Sequence, residues 1–168
     1  MDAGRFEEEF ARALAGATRV AVLGVGDDLN PRDRPGILAA ILIHALERPN
    51  VTVYLAGTMP ENFTGALRKE RPSHVVLIDA ADMGRPPGNV DLLHPGAVRG
   101  QRFSTHAMPL TLVIEYLEKE LGTAVVLVGV QPDASPPTGE AEPVVSPAVA
   151  ESLYRLRDAF SKATRGLW

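Results

Sequence analysis

Asp79 stands where a buried apolar strand meets a polar loop, and it is the first candidate for chemistry in this chain. The run 75–78 is continuous and apolar and lies between Pro72 and Gly84, which predicts a strand buried on both faces. Because an ionised carboxylate cannot lie unpaired inside such a strand, we expect Asp79 at its carboxyl end. Open α/β sheets form their ligand crevice at that end. The structural alternative for Asp79 alone is that it caps the following turn.

Asp33 and His106 are two further candidates, because each belongs to a loop expected at the same end of the sheet. Asp33 lies in the loop after the first strand, and His106 closes the loop before the fourth helix. If the first and third strands are neighbours, as in the doubly wound order 2-1-3, their ends flank one cleft. Two carboxylates and one imidazole form a suitable ligand set for a divalent transition metal. For His106, a purely structural place at a helix N-terminus stays equally open.

Other catalytic and binding motifs are weak or missing. Gly24 and Gly26 match the first two glycines of a dinucleotide-binding loop, but Leu29 stands where the third glycine is needed, so nucleotide binding is not expected. The sequence has no Gly-x-Ser-x-Gly, no His-Glu-x-x-His and no P-loop lysine. It also has no cysteine, which excludes disulfides, a thiol nucleophile and thiolate metal ligands. We interpret the three remaining histidines as structural: His44, His74 and His94.

Length and composition predict one globular domain over residues 1–168. The chain is 45% hydrophobic and 23% charged, which is ordinary for a globular protein. A net charge of −4 gives no reason to expect nucleic acid or an anionic membrane surface as a partner. No apolar run approaches the ~18 residues of a membrane span, so membrane insertion is not expected. The acidic N-terminal residues lack the apolar core of a signal peptide, and we expect a cytoplasmic protein.

Helix and strand patterns alternate along the chain. Phe6, Phe10 and Leu14 form the apolar stripe of an opening helix. Ser146 and Pro147 are a suitable N-cap and first residue for the closing helix. Between them the sequence predicts helices over 37–46 and from about 106 to 121. It also predicts a short helix that ends at about Lys69 and is opened by Thr58 and Glu61, whose spacing resembles a capping box. It predicts strands over 18–24, 50–56, 75–79, 89–94 and 123–129.

The link 80–88 determines the direction of the fourth strand. It is short and rich in proline and glycine, so it cannot contain a helix. A parallel connection needs a dozen residues or more, and the strand over 89–94 must therefore run antiparallel, at an edge of the sheet. With helices between the remaining strands, the pattern predicts a three-layer α/β/α sandwich around a mixed five-stranded sheet.

Four segments of the sequence resemble signature segments of one enzyme family. They are Gly24-Val-Gly26, Ile78-Asp79-Ala-Ala-Asp82-Met-Gly84, Thr105-His106-Ala-Met-Pro-Leu110 and Gly129-Val-Gln-Pro-Asp133. They are similar to segments of the [NiFe]-hydrogenase maturation endopeptidases, in the branch that serves formate-hydrogenlyase-type and related energy-converting hydrogenases. The four occur in the family's order and span nearly the whole chain, so jointly the resemblance is specific.

The resemblance implies a function, a partner and roles for the three candidate residues. It implies an endopeptidase, aspartic-type and nickel-dependent, that removes the C-terminal extension of a [NiFe]-hydrogenase large-subunit precursor after nickel insertion. It also implies that Asp33, Asp79 and His106 contact the nickel, with Asp33 and Asp79 as catalytic residues. The nickel is then carried by the substrate and is not permanently bound. For the fold, the resemblance adds the strand order 2-1-3-5-4, with strand 4 antiparallel.

The loop that carries Asp33 departs from the family's pattern. Pro31 and Arg34 replace two flexible glycines, and Arg32 replaces an acidic residue. Because proline fixes φ, we expect this loop to be stiffer than in other family members. We also expect the side chains of Arg32 and Arg34 to compete for Asp33 as salt-bridge partners. The alternative function is therefore a non-hydrolytic relative that binds the precursor and has lost activity through the altered Pro31–Pro35 loop. A third possibility is an unrelated metallohydrolase that uses the same three ligands.

Overall fold

Strands and helices alternate along the chain in the computed structural model, which describes residues 2–94, 102–103, 109–134 and 145–167. At 102–103 only the backbone is described. The strands are β1 (Val20–Val25), β2 (Val51–Gly57), β3 (His74–Asp82), β4 (Val90–Leu93), β5 (Arg102–Phe103) and β6 (Ala124–Val130). The helices are α1 (Ala3–Ala13), α2 (Pro35–His44), α3 (Thr64–Glu70), α4 (Leu110–Leu121) and α5 (Pro147–Ala163), with 3-10 turns at Pro31–Asp33 and Pro60–Phe63.

The sheet has the predicted order and the predicted antiparallel edge. Its strands lie in the order β2-β1-β3-β6-β4. β1, β2, β3 and β6 pair in parallel, whereas β4 pairs with β6 antiparallel. The predicted fifth strand, over 123–129, is β6 in the structure. The predicted order 2-1-3-5-4 of a mixed five-stranded sheet is therefore confirmed. One short strand was not predicted: β5 pairs antiparallel with Ala81 and Asp82 of β3. Two residues are too short to show an alternating pattern in the sequence.

Helices cover both faces of the sheet, which confirms the three-layer architecture. On one face Val76 and Ile78 belong to a core shared with α1, α2 and α5, where the rings of Phe6 and Phe10 stack at 5.3 Å between centroids. On the other face Val75 and Leu77 belong to a core shared with α3 and α4. Because successive residues of a strand point to opposite faces, β3 supplies both cores at once.

Three helices begin at other residues than predicted. α3 begins at Thr64, because the predicted first turn after Thr58 is the 3-10 turn Pro60–Phe63. α2 begins at Pro35, where proline at the first helical position loses no hydrogen bond. α4 begins at Leu110, after an extended Pro109, and not at about 106. The predicted cap of α5 is confirmed, since the Ser146 side chain accepts a hydrogen bond from the Val149 N–H.

The first turn of α2 lies directly against the carboxyl ends of β1 and β3. A Cβ atom placed on Gly36 would lie 2.3 Å from the Ile78 carbonyl oxygen and 2.4 Å from the Val25 carbonyl oxygen. A Cβ atom on Gly24 would lie 2.6 Å from the Cβ atom of Ala40. Only glycine allows these approaches, and they bring the loop after β1 down onto the end of β3.

We predict that Gly36→Ala destabilises the fold. The added methyl group would meet two backbone oxygens, so α2 must shift, and overpacking of this kind costs roughly 1–3 kcal/mol. The measurement is the free energy of unfolding from urea denaturation. The matched control is Gly65→Ala in α3, where a Cβ atom meets nothing within 4 Å; its stability should be unchanged or higher. A Gly36→Ala protein as stable as the unmodified one would contradict the contact.

Candidate active site

Asp79 is buried where the pairing of β1 with β3 ends. The register of these strands runs to Gly24 opposite Ile78, so Asp79 is the first residue of β3 beyond it. β3 nevertheless continues to Asp82, because β6 pairs with it through Ala80 and β5 pairs with Ala81 and Asp82. The prediction that Asp79 ends its strand is therefore correct with respect to β1 and wrong with respect to β6. The residue is 0% exposed and has an interaction partner, as a buried carboxylate requires.

The side chain of Asp79 faces the layer formed by α3 and α4. It follows Val75 and Leu77 at intervals of two residues, and both belong to the core on that face. Leu110, the first residue of α4, belongs to the same core. Asp79 therefore faces the side of the sheet on which α4 begins.

Asp33 is the last residue of the 3-10 turn Pro31–Asp33 and is 8% exposed. Its Oδ2 atom accepts a hydrogen bond of 3.1 Å from the Asp27 N–H, and its own N–H donates to the Asn30 carbonyl oxygen at 2.8 Å. Gly26 makes room for this turn: a Cβ atom there would lie 1.9 Å from the Asp33 carbonyl oxygen. The two glycines of the Gly24-Val-Gly26 segment thus serve close backbone packing.

The fold brings Asp33 and Asp79 to the same end of the sheet. The 3-10 turn of Asp33 contacts β3. Three residues later, Gly36 touches the carbonyl oxygen of Ile78, the residue before Asp79. This arrangement agrees with the prediction that the carboxyl ends of the first and third strands are neighbours.

His106 lies outside the described residues, so its predicted role stays a prediction. Among residues 2–94, 109–134 and 145–167, no group of three or more His, Asp or Glu side chains is placed to hold a metal ion. The cations next to Asp33 do not behave as expected. Arg34 donates from Nε to the Asp28 carbonyl oxygen at 2.6 Å, Arg32 is exposed, and within the described part of the chain neither forms an ion pair with Asp33.

Gln131 holds the loop that follows Asp79, a role that sequence reasoning missed. Its side chain is 6% exposed, and its Oε1 atom accepts hydrogen bonds from the Met83 N–H at 2.6 Å and the Arg85 N–H at 3.3 Å. Its Nε2 atom donates to Asp82 at 3.3 Å. The only signal for it in the sequence is its place in the Gly129-Val-Gln-Pro-Asp133 segment.

Asp133, from the same segment, positions the start of α5. Its carboxylate accepts a hydrogen bond of 2.8 Å from the Ser146 N–H, and Ser146 is the N-cap of that helix. The residue is 9% exposed. Asp133 therefore joins the end of β6 to the closing helix.

The remaining histidines lie away from the two aspartates or on the surface. His74 begins β3, five residues before Asp79, which is about 16 Å along a strand. Burial lowers the pKa of His74, and its Nδ1 atom lies 2.9 Å from the Ser73 hydroxyl. His44 and His94 are exposed. These positions agree with the structural interpretation of all three.

Comparisons with known proteins identify the family. The family model described as HycI, hydrogenase maturation protease, matches residues 38–158. The chain belongs to the hydrogenase maturation protease family. It is 34% identical to the Hydrogenase 3 maturation protease of Escherichia coli over 113 residues, which are 67% of this chain and 72% of that protein.

Solved structures of this family share the fold. The crystal structure of the [NiFe] hydrogenase maturation protease HycI from Thermococcus kodakarensis is 29% identical, with a TM-score of 0.78 over 92% of this chain and 97% of that one. A crystal structure of the Hydrogenase 3 maturation protease is 30% identical, with a TM-score of 0.70 over 86% and 90% of the two chains.

Family membership bears on both open alternatives. The three relatives reported above are described as proteases, which gives no support to a non-hydrolytic precursor-binding protein. Membership of this family also excludes a metallohydrolase unrelated to it. The matched region begins at residue 38, so the altered loop with Asp33 lies outside it. None of the helices in the described residues combines the length and the hydropathy that a membrane span requires.

We predict that Gln131→Leu destabilises the protein and loosens the loop after β3. The substitution leaves the N–H groups of Met83 and Arg85 without their acceptor in two partly buried hydrogen bonds. The loss should therefore not exceed the roughly 1–3 kcal/mol that a buried unsatisfied group costs. Urea denaturation measures the loss, and hydrogen exchange at residues 83–85 measures the loosening. Glu118→Gln, on the exposed side of α4, is the control and should change neither. Unchanged exchange in Gln131→Leu would show that Gln131 does not hold the loop.

Proposed function

We propose that this chain removes the C-terminal extension of a [NiFe]-hydrogenase large-subunit precursor after nickel has been inserted. Asp33, Asp79 and His106 complete the contacts to a nickel ion that the substrate carries, with Asp33 and Asp79 as the catalytic residues. The observation that carries the proposal is the buried Asp79 at the end of the β1–β3 pairing, beside the turn of Asp33, in a chain of this family.

The placement of the two aspartates supports hydrolysis in the cleft at the carboxyl ends of β1 and β3. A nickel ion held there can polarise the scissile carbonyl, while an aspartate accepts a proton from the attacking water. The Asp27 N–H orients the Asp33 carboxylate through Oδ2, and burial keeps Asp79 in place on β3. A covalent acyl-enzyme is not part of the proposal, because the sequence offers no activated serine or cysteine nucleophile.

Nickel recognition is tested with two preparations of the same precursor. The purified protein is incubated with nickel-loaded and with nickel-free large-subunit precursor, and the release of the C-terminal extension is followed by mass spectrometry. Cleavage of the nickel-loaded form alone is expected. Equal cleavage of both forms would overturn nickel recognition, and cleavage of neither would overturn the protease assignment for these substrates.

The roles of the aspartates are tested by isosteric substitution. Asp33→Asn and Asp79→Asn should each lower kcat/KM for the nickel-loaded precursor by about 100-fold or more, the range for loss of a general base. The control is Asp158→Asn, which removes the same charge from an exposed position near the end of α5. Its kcat/KM should stay within about twofold of the unmodified protein. Full activity in Asp79→Asn would exclude Asp79 from the mechanism.

A further inference from the structure

Leu29 is the most exposed large hydrophobic side chain among the described residues. It is 88% exposed, at the tip of the loop after β1. Met59, in the loop after β2, is 42% exposed, and Leu112, in the first turn of α4, is 51% exposed. These three apolar side chains all lie at the carboxyl end of the parallel strands. The end of the sheet that carries Asp33 and Asp79 therefore also carries exposed apolar surface.

The turn that presents Leu29 is held by hydrogen bonds on both sides. Residues 27–30 form a β-turn in which the Asn30 N–H donates to the Asp27 carbonyl oxygen at 3.0 Å. The Leu29 N–H donates to the Asp27 carboxylate at 2.9 Å. Arg34 closes the turn from the other side through the Asp28 carbonyl oxygen. Leu29 contributes nothing to the core, yet its backbone is fixed.

The same residue, Asp27, joins Leu29 to the candidate catalytic carboxylate. Its side chain accepts from the Leu29 N–H, while its own N–H donates to Oδ2 of Asp33. Two consecutive hydrogen bonds thus set the position of an exposed leucine relative to Asp33. Such a connection is useful when a ligand must touch both residues, because the contact made at Leu29 then places the ligand at Asp33.

We propose that Leu29 is a substrate-anchoring residue that packs against apolar side chains of the large-subunit precursor beside the scissile bond. This inference rests on the function proposed above. Exposed polar residues surround the leucine, among them Asp28, Asn30 and Arg32. Such a mixture of polar and apolar exposed groups suits contact with another protein and not insertion into a hydrocarbon layer. The occupant is the precursor, because the scissile bond must lie at Asp33, to which Asp27 connects Leu29.

The test compares substrate binding with turnover in three variants. Leu29→Ala should raise KM for the nickel-loaded precursor, and its Kd measured by calorimetry, by about tenfold or more, because burial of a leucine side chain is lost. Its kcat should stay within about twofold, since Asp33 and Asp79 are untouched. Leu29→Met should retain most of the affinity. Ile41→Ala, which shortens an exposed side chain on α2, is the control and should change neither quantity.

The outcomes separate this inference from the proposed function. If the unmodified protein cleaves the precursor and Leu29→Ala does so with the same KM, the anchoring role is overturned and the protease function stands. If the unmodified protein binds without cleavage, the function fails and the Kd of Leu29→Ala decides the inference. Absence of binding by the unmodified protein, or an equal loss in Ile41→Ala, overturns the anchor. Unfolding of Leu29→Ala in urea should match the unmodified protein.

Discussion

The contact of Gly36 with the carbonyl oxygens of Val25 and Ile78 is the constraint on which the candidate site depends. It presses the start of α2 against the ends of two neighbouring parallel strands, and it is possible only without a Cβ atom. Gly26 makes a second approach of this kind, against the backbone of Asp33. Since Asp33 precedes Gly36 by three residues and Asp79 follows Ile78 directly, these backbone contacts also place the two carboxylates. Close packing at two glycines thus helps to position this end of the sheet.

The loop that follows β3 is held by side-chain hydrogen bonds. Gln131, at the end of β6, accepts two backbone hydrogen bonds from the loop and donates one to Asp82. Gly129 leaves room for the Leu93 side chain on β4, since a Cβ atom there would lie 2.7 Å from a methyl group of Leu93. The Asp133 carboxylate accepts a hydrogen bond from the N–H of Ser146, the N-cap residue of α5. The segment Gly129-Val-Gln-Pro-Asp133 therefore supports the loops around the candidate site. Its two polar side chains, Gln131 and Asp133, accept hydrogen bonds from backbone N–H groups.

The loop between β1 and α2 carries Asp33 and contains the residues that depart from the family's sequence pattern. Pro31 starts the 3-10 turn that ends at Asp33, and Arg34 ties the preceding β-turn through the Asp28 carbonyl oxygen. Both replacements thus fix the loop's shape and leave Asp33 bonded to Asp27. The departure from the family's sequence pattern is compatible with an ordered site, because the turn that carries Asp33 still lies against the carboxyl end of β3.

The sequence by itself determined the element types, the mixed sheet and the antiparallel edge strand. These properties depend on apolar periodicity, on proline and glycine positions and on the length of the link 80–88, all of which are local. The resemblance to the family added the strand order and the roles of the three candidate residues. Only the tertiary structure decided that β3 extends past Asp79, that Arg34 bonds to a carbonyl oxygen and not to Asp33, and that Gln131 holds Met83. Met83 and Gln131 are 48 residues apart in the chain, and such a contact exists only once β3 and β6 have paired.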